Sequence, residues 1–112
     1  MGQPLTAAVR YLSGEREPVR VATTGNIIQQ GLQVIDDVEL EVGDRVLVKD
    51  QTDSVKNGIY LASEGVWFRA PDASHTRAVN EGVTVQVREG TTNNGKAYRF
   101  ATSNPVVGTD PI

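Results

Sequence analysis

Val83, Val85 and Val87 alternate with Thr84, Gln86 and Arg88, and a side-chain period of two belongs to a strand with one apolar face and one wet face. Val19 and Val21 flank Arg20 in the same way. Val42, Asp44, Val46 and Val48 share a second face with Leu47 on its reverse, and Tyr98 and Phe100 repeat the spacing near the end. Turn signals separate these runs at Gly31, Gly43, Asn57-Gly58, Gly65, Gly82 and Asn93-Asn94-Gly95. Asn-Gly supplies the positive φ values that a type I′ hairpin turn requires. After Pro18 no stretch has both the length and the 3.6-residue period of a strong helix, and residues 70–80 read as a polar loop with room for one helical turn. Short strands with Gly-rich turns predict an all-β domain, a small antiparallel β-sandwich or barrel of roughly six or seven strands.

Residues 1–17 follow another pattern. Leu5, Val9 and Leu12 fall at i, i+4 and i+7, a helical stripe, and Pro4 suits a first helical turn. A helix this short is marginal alone in water, so the stretch is expected to be a docking or anchoring arm, ordered only on a partner. The β domain then runs over residues 18–112. At its end Asn104-Pro105 opens a turn, Val106 and Val107 start a strand pattern, and the sequence stops at Asp110-Pro111-Ile112. The expectation is a β domain that lacks its last strand.

Chemistry-bearing residues are few. At 112 residues the chain is one domain's worth, and its core is modest. A hydrophobic content of 38% argues against disorder of the whole. There is no Cys and one His, which removes disulfides, thiolate nucleophiles and multi-histidine metal sites within one chain. Eleven basic against fourteen acidic residues leave a net charge of −3, the wrong sign for gripping phosphate backbones. No apolar run approaches a membrane span, and the first residues lack the apolar centre of a signal peptide.

Individual candidates fare no better. His75 sits beside Ser74 in a polar loop, with no Gly-x-Ser-x-Gly elbow around any serine. Asp36 and Asp37 are adjacent, and Asp44, Asp50, Asp53, Asp72 and Glu81 are scattered through turns, where Asp commonly bonds the local backbone. Residues 50–58 are oxygen-rich, as calcium requires, but they lack EF-hand spacing and include Lys56. Tyr60 and Trp67 could stack on a glycan, although a small β domain needs its few aromatics inside. The residues therefore point to no enzyme, no cofactor and no metal.

One continuous pattern is specific. It runs Val19-Arg20-Val21-Ala22-Thr23-Thr24-Gly25-Asn26, then Gly31-Leu32-Gln33-Val34-Ile35-Asp36, then Gly43-Asp44-Arg45-Val46-Leu47-Val48-Lys49-Asp50-Gln51-Thr52 and Asn57-Gly58-Ile59-Tyr60. Trp67-Phe68-Arg69-Ala70-Pro71-Asp72-Ala73 and Glu89-Gly90-Thr91-Thr92-Asn93 complete it. This resembles a domain that recurs in tail-fibre and related virion proteins of tailed bacteriophages, often near the fibre's N-terminus, and the resemblance covers about residues 18–109. It implies a virion structural protein, a proximal fibre domain anchored to the tail or baseplate, usually homotrimeric, with no catalytic residues to carry over. On that reading Leu5, Val9 and Leu12 make the anchoring contact with other virion proteins, whereas Tyr60 and Trp67 would touch a host glycan on the rival reading as a carbohydrate-binding module. Relatives tend to continue past residues 105–109 into one more apolar strand, and Ile27-Ile28-Gln29-Gln30 departs from the usual sequence before Gly-Leu-Gln. The rivals are a capsid decoration or head-fibre protein and a carbohydrate-binding module for host polysaccharide, with a glycan hydrolase last.

Overall fold

The structure, a computed structural model, describes residues 16–73 and 83–100. Leu5, Val9, Leu12, Ser74, His75, Glu81, Gly82 and the C-terminal strand pattern lie outside them. Eight short strands carry the described fold: β1 (Val21–Ala22), β2 (Val34–Ile35), β3 (Val38–Glu39), β4 (Arg45–Val48), β5 (Gly58–Leu61), β6 (Phe68–Arg69), β7 (Thr84–Gln86) and β8 (Ala97–Arg99). Among the described residues the helical content is two single 3-10 turns, Ser54–Lys56 and Pro71–Ala73, the second within the expected polar loop. The described residues are thus mostly strand with almost no helix, compatible with an all-β fold.

The central sheet has the order β1-β4-β5-β6, and two hairpins, β2-β3 and β7-β8, complete the set. Its strands alternate as the period of two demands, and both faces are covered. Ala22, Leu47 and Ile59 enter one apolar cluster with Val19, Val83, Val85, Val87 and Phe100. Val21, Val46, Val48, Tyr60 and Trp67 enter a second cluster with Ile35 and Leu40. Ile59 and Tyr60 are thus both core residues, on opposite faces of β5. In β7 the alternation is as read: Val83, Val85 and Val87 are buried, while Gln86 and Arg88 face water.

Three features depart from the sequence expectation. First, β1 pairs with β4 in parallel, Val21 opposite Val46 and Ala22 opposite Leu47, so the fold is not antiparallel throughout. The stretch from Arg16 to Thr23 is bonded on both sides. Val19 N–H donates to Gln86 and Arg88 N–H to Val19, while Arg20 and Thr23 donate to Arg45 and Leu47. It thereby ties the β7-β8 hairpin to the central sheet. Second, Asn57-Gly58 is not a hairpin turn. Asn57 has φ −69° and closes the 3-10 turn that Asp53 opens by accepting from Val55 N–H, and Gly58 starts β5 with φ +146°. The two-residue hairpin turn with both φ positive is Asp36-Asp37, at 48° and 68°, a conformation that Asp tolerates better than most residues. Third, Val42 is 64% exposed, because it stands in the turn ahead of β4 rather than on that strand's buried face.

Arg16 N–H donates to Thr84 O at 2.8 Å, and Arg45 Nη2 donates to Glu17 O at 2.7 Å, so both residues belong to the β body.

Asp36 fastens the β2-β3 hairpin to the loop after β7. Its carboxylate accepts from Thr92 N–H at 2.9 Å and from Asn93 N–H at 2.8 Å. Gly90, at φ +116°, lies so close that a Cβ there would run into the carboxylate. Partial desolvation pushes the Asp36 pKa up, but the N–H donors of Asn93, Thr92 and Thr91 outweigh it and hold the group below its ordinary 3.8. A pKa lower in the folded than in the unfolded state stabilises above the unfolded value, and that contribution disappears as pH falls through the folded one. Asp36→Asn is therefore expected to lower Tm at pH 7, with the gap to wild type narrowing below about pH 4. Melting curves from pH 7 to pH 2.5 test this, and a gap constant across that range would deny the charge any role.

Candidate functional site

The chemistry-bearing residues singled out by sequence are mostly occupied in building the fold. Arg20 Nη1 pairs with Asp44 Oδ2 at 2.6 Å, and the same carboxylate accepts from Glu41 N–H at 2.7 Å. Asp50 accepts from Lys49 Nζ at 2.9 Å and from Thr23 Oγ1 at 3.3 Å. In the oxygen-rich loop, Gln51 bonds both Ile27 N–H and Ile27 O, at 2.8 and 2.9 Å, and Asn57 Oδ1 accepts from Gln51 N–H at 3.0 Å. Those oxygens satisfy backbone N–H groups of the loop and of the neighbouring Ile27. Among the described residues no three His, Cys, Asp or Glu side chains gather as metal ligands, and no helix is long and apolar enough to cross a membrane.

The two aromatics named for glycan contact are in the core. Tyr60 is 7% exposed and Trp67 3%. The Tyr60 hydroxyl donates to Lys56 O at 2.8 Å, and Trp67 Nε1 donates to Gly31 O at 3.0 Å. The Arg69 guanidinium lies 5.1 Å from the Tyr60 ring centroid, held there by Asn57 O and Val55 O at 2.9 and 2.8 Å. Neither ring offers a stacking platform, because a small core needs its largest apolar surfaces and gives their polar tips to the backbone. This corrects the sequence expectation for both residues.

Among the described residues, two concavities stand out. A cleft of about 330 Å³ lies between the C-terminal end of β4, the start of β5 and β8. Leu47, Val85 and Phe100 are its buried lining; Lys49, Asp50 and Arg99 are its charged lining. The Lys49 ammonium is already matched by Asp50 and lies 5.2 Å from the Tyr98 ring centroid, so it is not a bare anion site. A second, shallower groove of about 400 Å³ runs between residues 26–29 and 51–56.

The most distinctive surface is apolar. Among the described residues the exposed large hydrophobics are Ile28, Leu32, Val34, Val42, Val66 and Phe68. None comes from β1, β4, β5, β7 or β8. Gln30 bridges Val66 in antiparallel fashion, with Trp67 N–H donating to Gln29 O and Gly31 N–H to Gly65 O at 3.0 Å each. Ile28 is 74% and Phe68 73% exposed. Singly exposed hydrophobics need no explanation.

This edge is also sealed along its backbone. Gln33 Nε2 donates to Ile28 O at 2.7 Å and to Gln30 O at 3.1 Å. A covered edge resists addition of another strand.

The entry of the chain is fixed nearby by Arg45. Its guanidinium forms a fork on Asp72 at 2.9 and 3.1 Å, and it also donates to Pro18 O at 3.2 Å and Glu17 O at 2.7 Å. Burial lowers the Arg16 pKa, and the nearby Asp72 carboxylate opposes that shift.

A scan against protein-family models and searches of curated proteins and of solved structures return no match to this chain.

Proposed function

We propose that the chain is a virion structural protein, the proximal domain of a tailed-phage tail fibre, which anchors the fibre to the tail or baseplate and assembles as a homotrimer. The reading rests on the resemblance over residues 18–109. The observation that carries it furthest is what the shared residues do. Asp44 and Arg45 hold the chain around the start of β4, Asn57 and Gly58 launch β5, Trp67 and Ala70 fill the two clusters, and Asn93 reaches Ala22 O and Thr23 O at 3.3 Å each. A motif made of folding residues is what a scaffold domain repeats. The finer architecture belongs to the same proposal: the β7-β8 hairpin folded over one face of the central sheet makes a small sandwich, with Val19 to Thr23 as the strand that passes between its layers.

The anchoring contact is assigned to Leu5, Val9 and Leu12. Deleting residues 1–14 is expected to leave the β body folded, with its thermal transition retained, while the protein no longer associates with tails. Truncated protein recovered on tails would place the anchor elsewhere. A deletion that abolished the thermal transition would contradict the division into arm and body.

A further inference from the structure

We propose that the outer edge of β8 takes an extended, acidic peptide segment of a partner protein as an added strand, with one apolar side chain of that segment seated in the cleft beside β8. The inference is independent of the fibre reading and holds whether or not that reading does.

Register shows that this edge is open. Val85 lies opposite Tyr98, Phe100 N–H donates to Val83 O, and Val87 N–H donates to Lys96 O. Lys96, Tyr98 and Phe100 therefore turn their backbone groups toward β7, and the alternation of an antiparallel ladder turns those of Ala97 and Arg99 away from it. The far edge of β7 is occupied, since Arg16 and Val19 N–H donate to Thr84 O and Gln86 O. At Ala97 and Arg99, by contrast, the outward N–H and C=O groups have no partner among the described residues. Residues 96–100 contain neither proline nor glycine, and no side chain seals their edge as Gln33 seals Ile28 and Gln30.

Charge selects the occupant. Lys96 and Arg99 are exposed and form no ion pair among the described residues, whereas Arg20, Arg45 and Lys49 are each matched by a carboxylate. In an added antiparallel strand the residue opposite Arg99 shares its face, so an acidic side chain there meets the guanidinium. A second copy of β8 fits worse, because two-fold pairing about Tyr98 sets two arginines on neighbouring positions of one face.

Depth selects the pattern. The cleft of about 330 Å³ has Leu47, Val85 and Phe100 as its buried lining and includes Arg99 of the edge itself. Tyr98 packs inward against the same cluster, so the residue of the added strand opposite Tyr98 also points inward, toward the cleft. Its two neighbours lie on the face of Ala97 and Arg99. The recognised pattern is acidic, apolar, acidic, with main-chain bonds to Ala97 and Arg99 fixing the register.

Amide exchange measured by NMR on the full chain tests this with the capped peptide Thr-Glu-Val-Glu-Val-Glu-Thr at about 1 mM, and with its counterpart carrying Lys for Glu. The Ala97 and Arg99 amides are expected to exchange freely in the protein alone, to slow several-fold with the acidic peptide and to be unaffected by the lysine one. Slow exchange of both amides in the protein alone overturns the proposal, since the edge would then be filled by a second copy or by the same chain. Equal slowing by the two peptides, or none by either, overturns it as well. Ala97→Pro removes an outward donor at an edge position that tolerates proline, and is expected to keep the thermal transition and lose the peptide. Arg99→Glu is expected to weaken the acidic peptide several-fold and admit the lysine one. A folded proline variant that binds like wild type, or an Arg99→Glu protein with unchanged preference, contradicts strand addition at this edge.

Discussion

Ile59→Ala is expected to lower stability by about 3–4 kcal/mol, enough to move Tm down by more than 10 °C in a domain of this size. Ile59 is fully buried in the middle of β5, opposite Leu47 in register. It packs in the cluster that joins the central sheet to β7 and β8. Truncation removes apolar surface and leaves a cavity whose walls are strand residues fixed by ladder bonds, so little collapse can fill it. Small domains have only about 5–15 kcal/mol in total, which makes this one of the costliest single changes available. Val42→Ala, at a side chain 64% exposed, provides the contrast, with an expected change below about 0.5 kcal/mol. Urea unfolding of the three proteins measures both. Equal stability of the Ile59 variant and wild type would mean that the two layers are not packed through this residue.

The second large effect is expected at Arg45. Arg45→Ala should cost about 2–3 kcal/mol, because one guanidinium serves four acceptors and charge-assisted bonds at partly buried sites are among the stronger ones. The Arg45 side chain is 14% exposed and that of Asp72 37%, so the pair is neither a solvent-screened surface bridge nor a dry one. Removing the cation frees residues 17 and 18 from the sheet and leaves Asp72 without its fork. Arg45→Lys keeps the charge but loses the planar, two-point geometry, and is expected to recover about half of the loss. Chemical unfolding curves give all three values. A lysine variant as stable as wild type would reduce the clamp to simple charge attraction.

Much of the core was legible in the sequence. Val19, Val21, Val46, Val48, Val83, Val85 and Val87 are all buried, because alternation along a strand states directly which side chains share a face. The adjacent pair Trp67 and Phe68 shows the limit of that signal. Two neighbouring aromatics must point to opposite faces, and nothing local says which face is covered. Trp67 meets Ile35, Leu40 and Tyr60, whereas Phe68 looks out beyond the reach of the β7-β8 hairpin. The Asp36-Asp37 turn was legible only as a pair of turn-forming residues, and the more conspicuous Asn57-Gly58 became the exit of a 3-10 turn instead.

The meeting of residues 29–31 with 65–67 was not legible: Gln30 and Val66 are far apart in the chain and are brought together by an antiparallel bridge. Ile28 did stand out as an apolar residue in an unusual stretch, which was the one local signal. By itself, then, the sequence determined that the described residues form short strands and which residues of most strands face inward. A period of two reports sidedness and nothing about partner or direction. The parallel pairing of β1 with β4 and the coverage of both sheet faces were decided only by tertiary structure, because they depend on which strands meet and which faces find a neighbour.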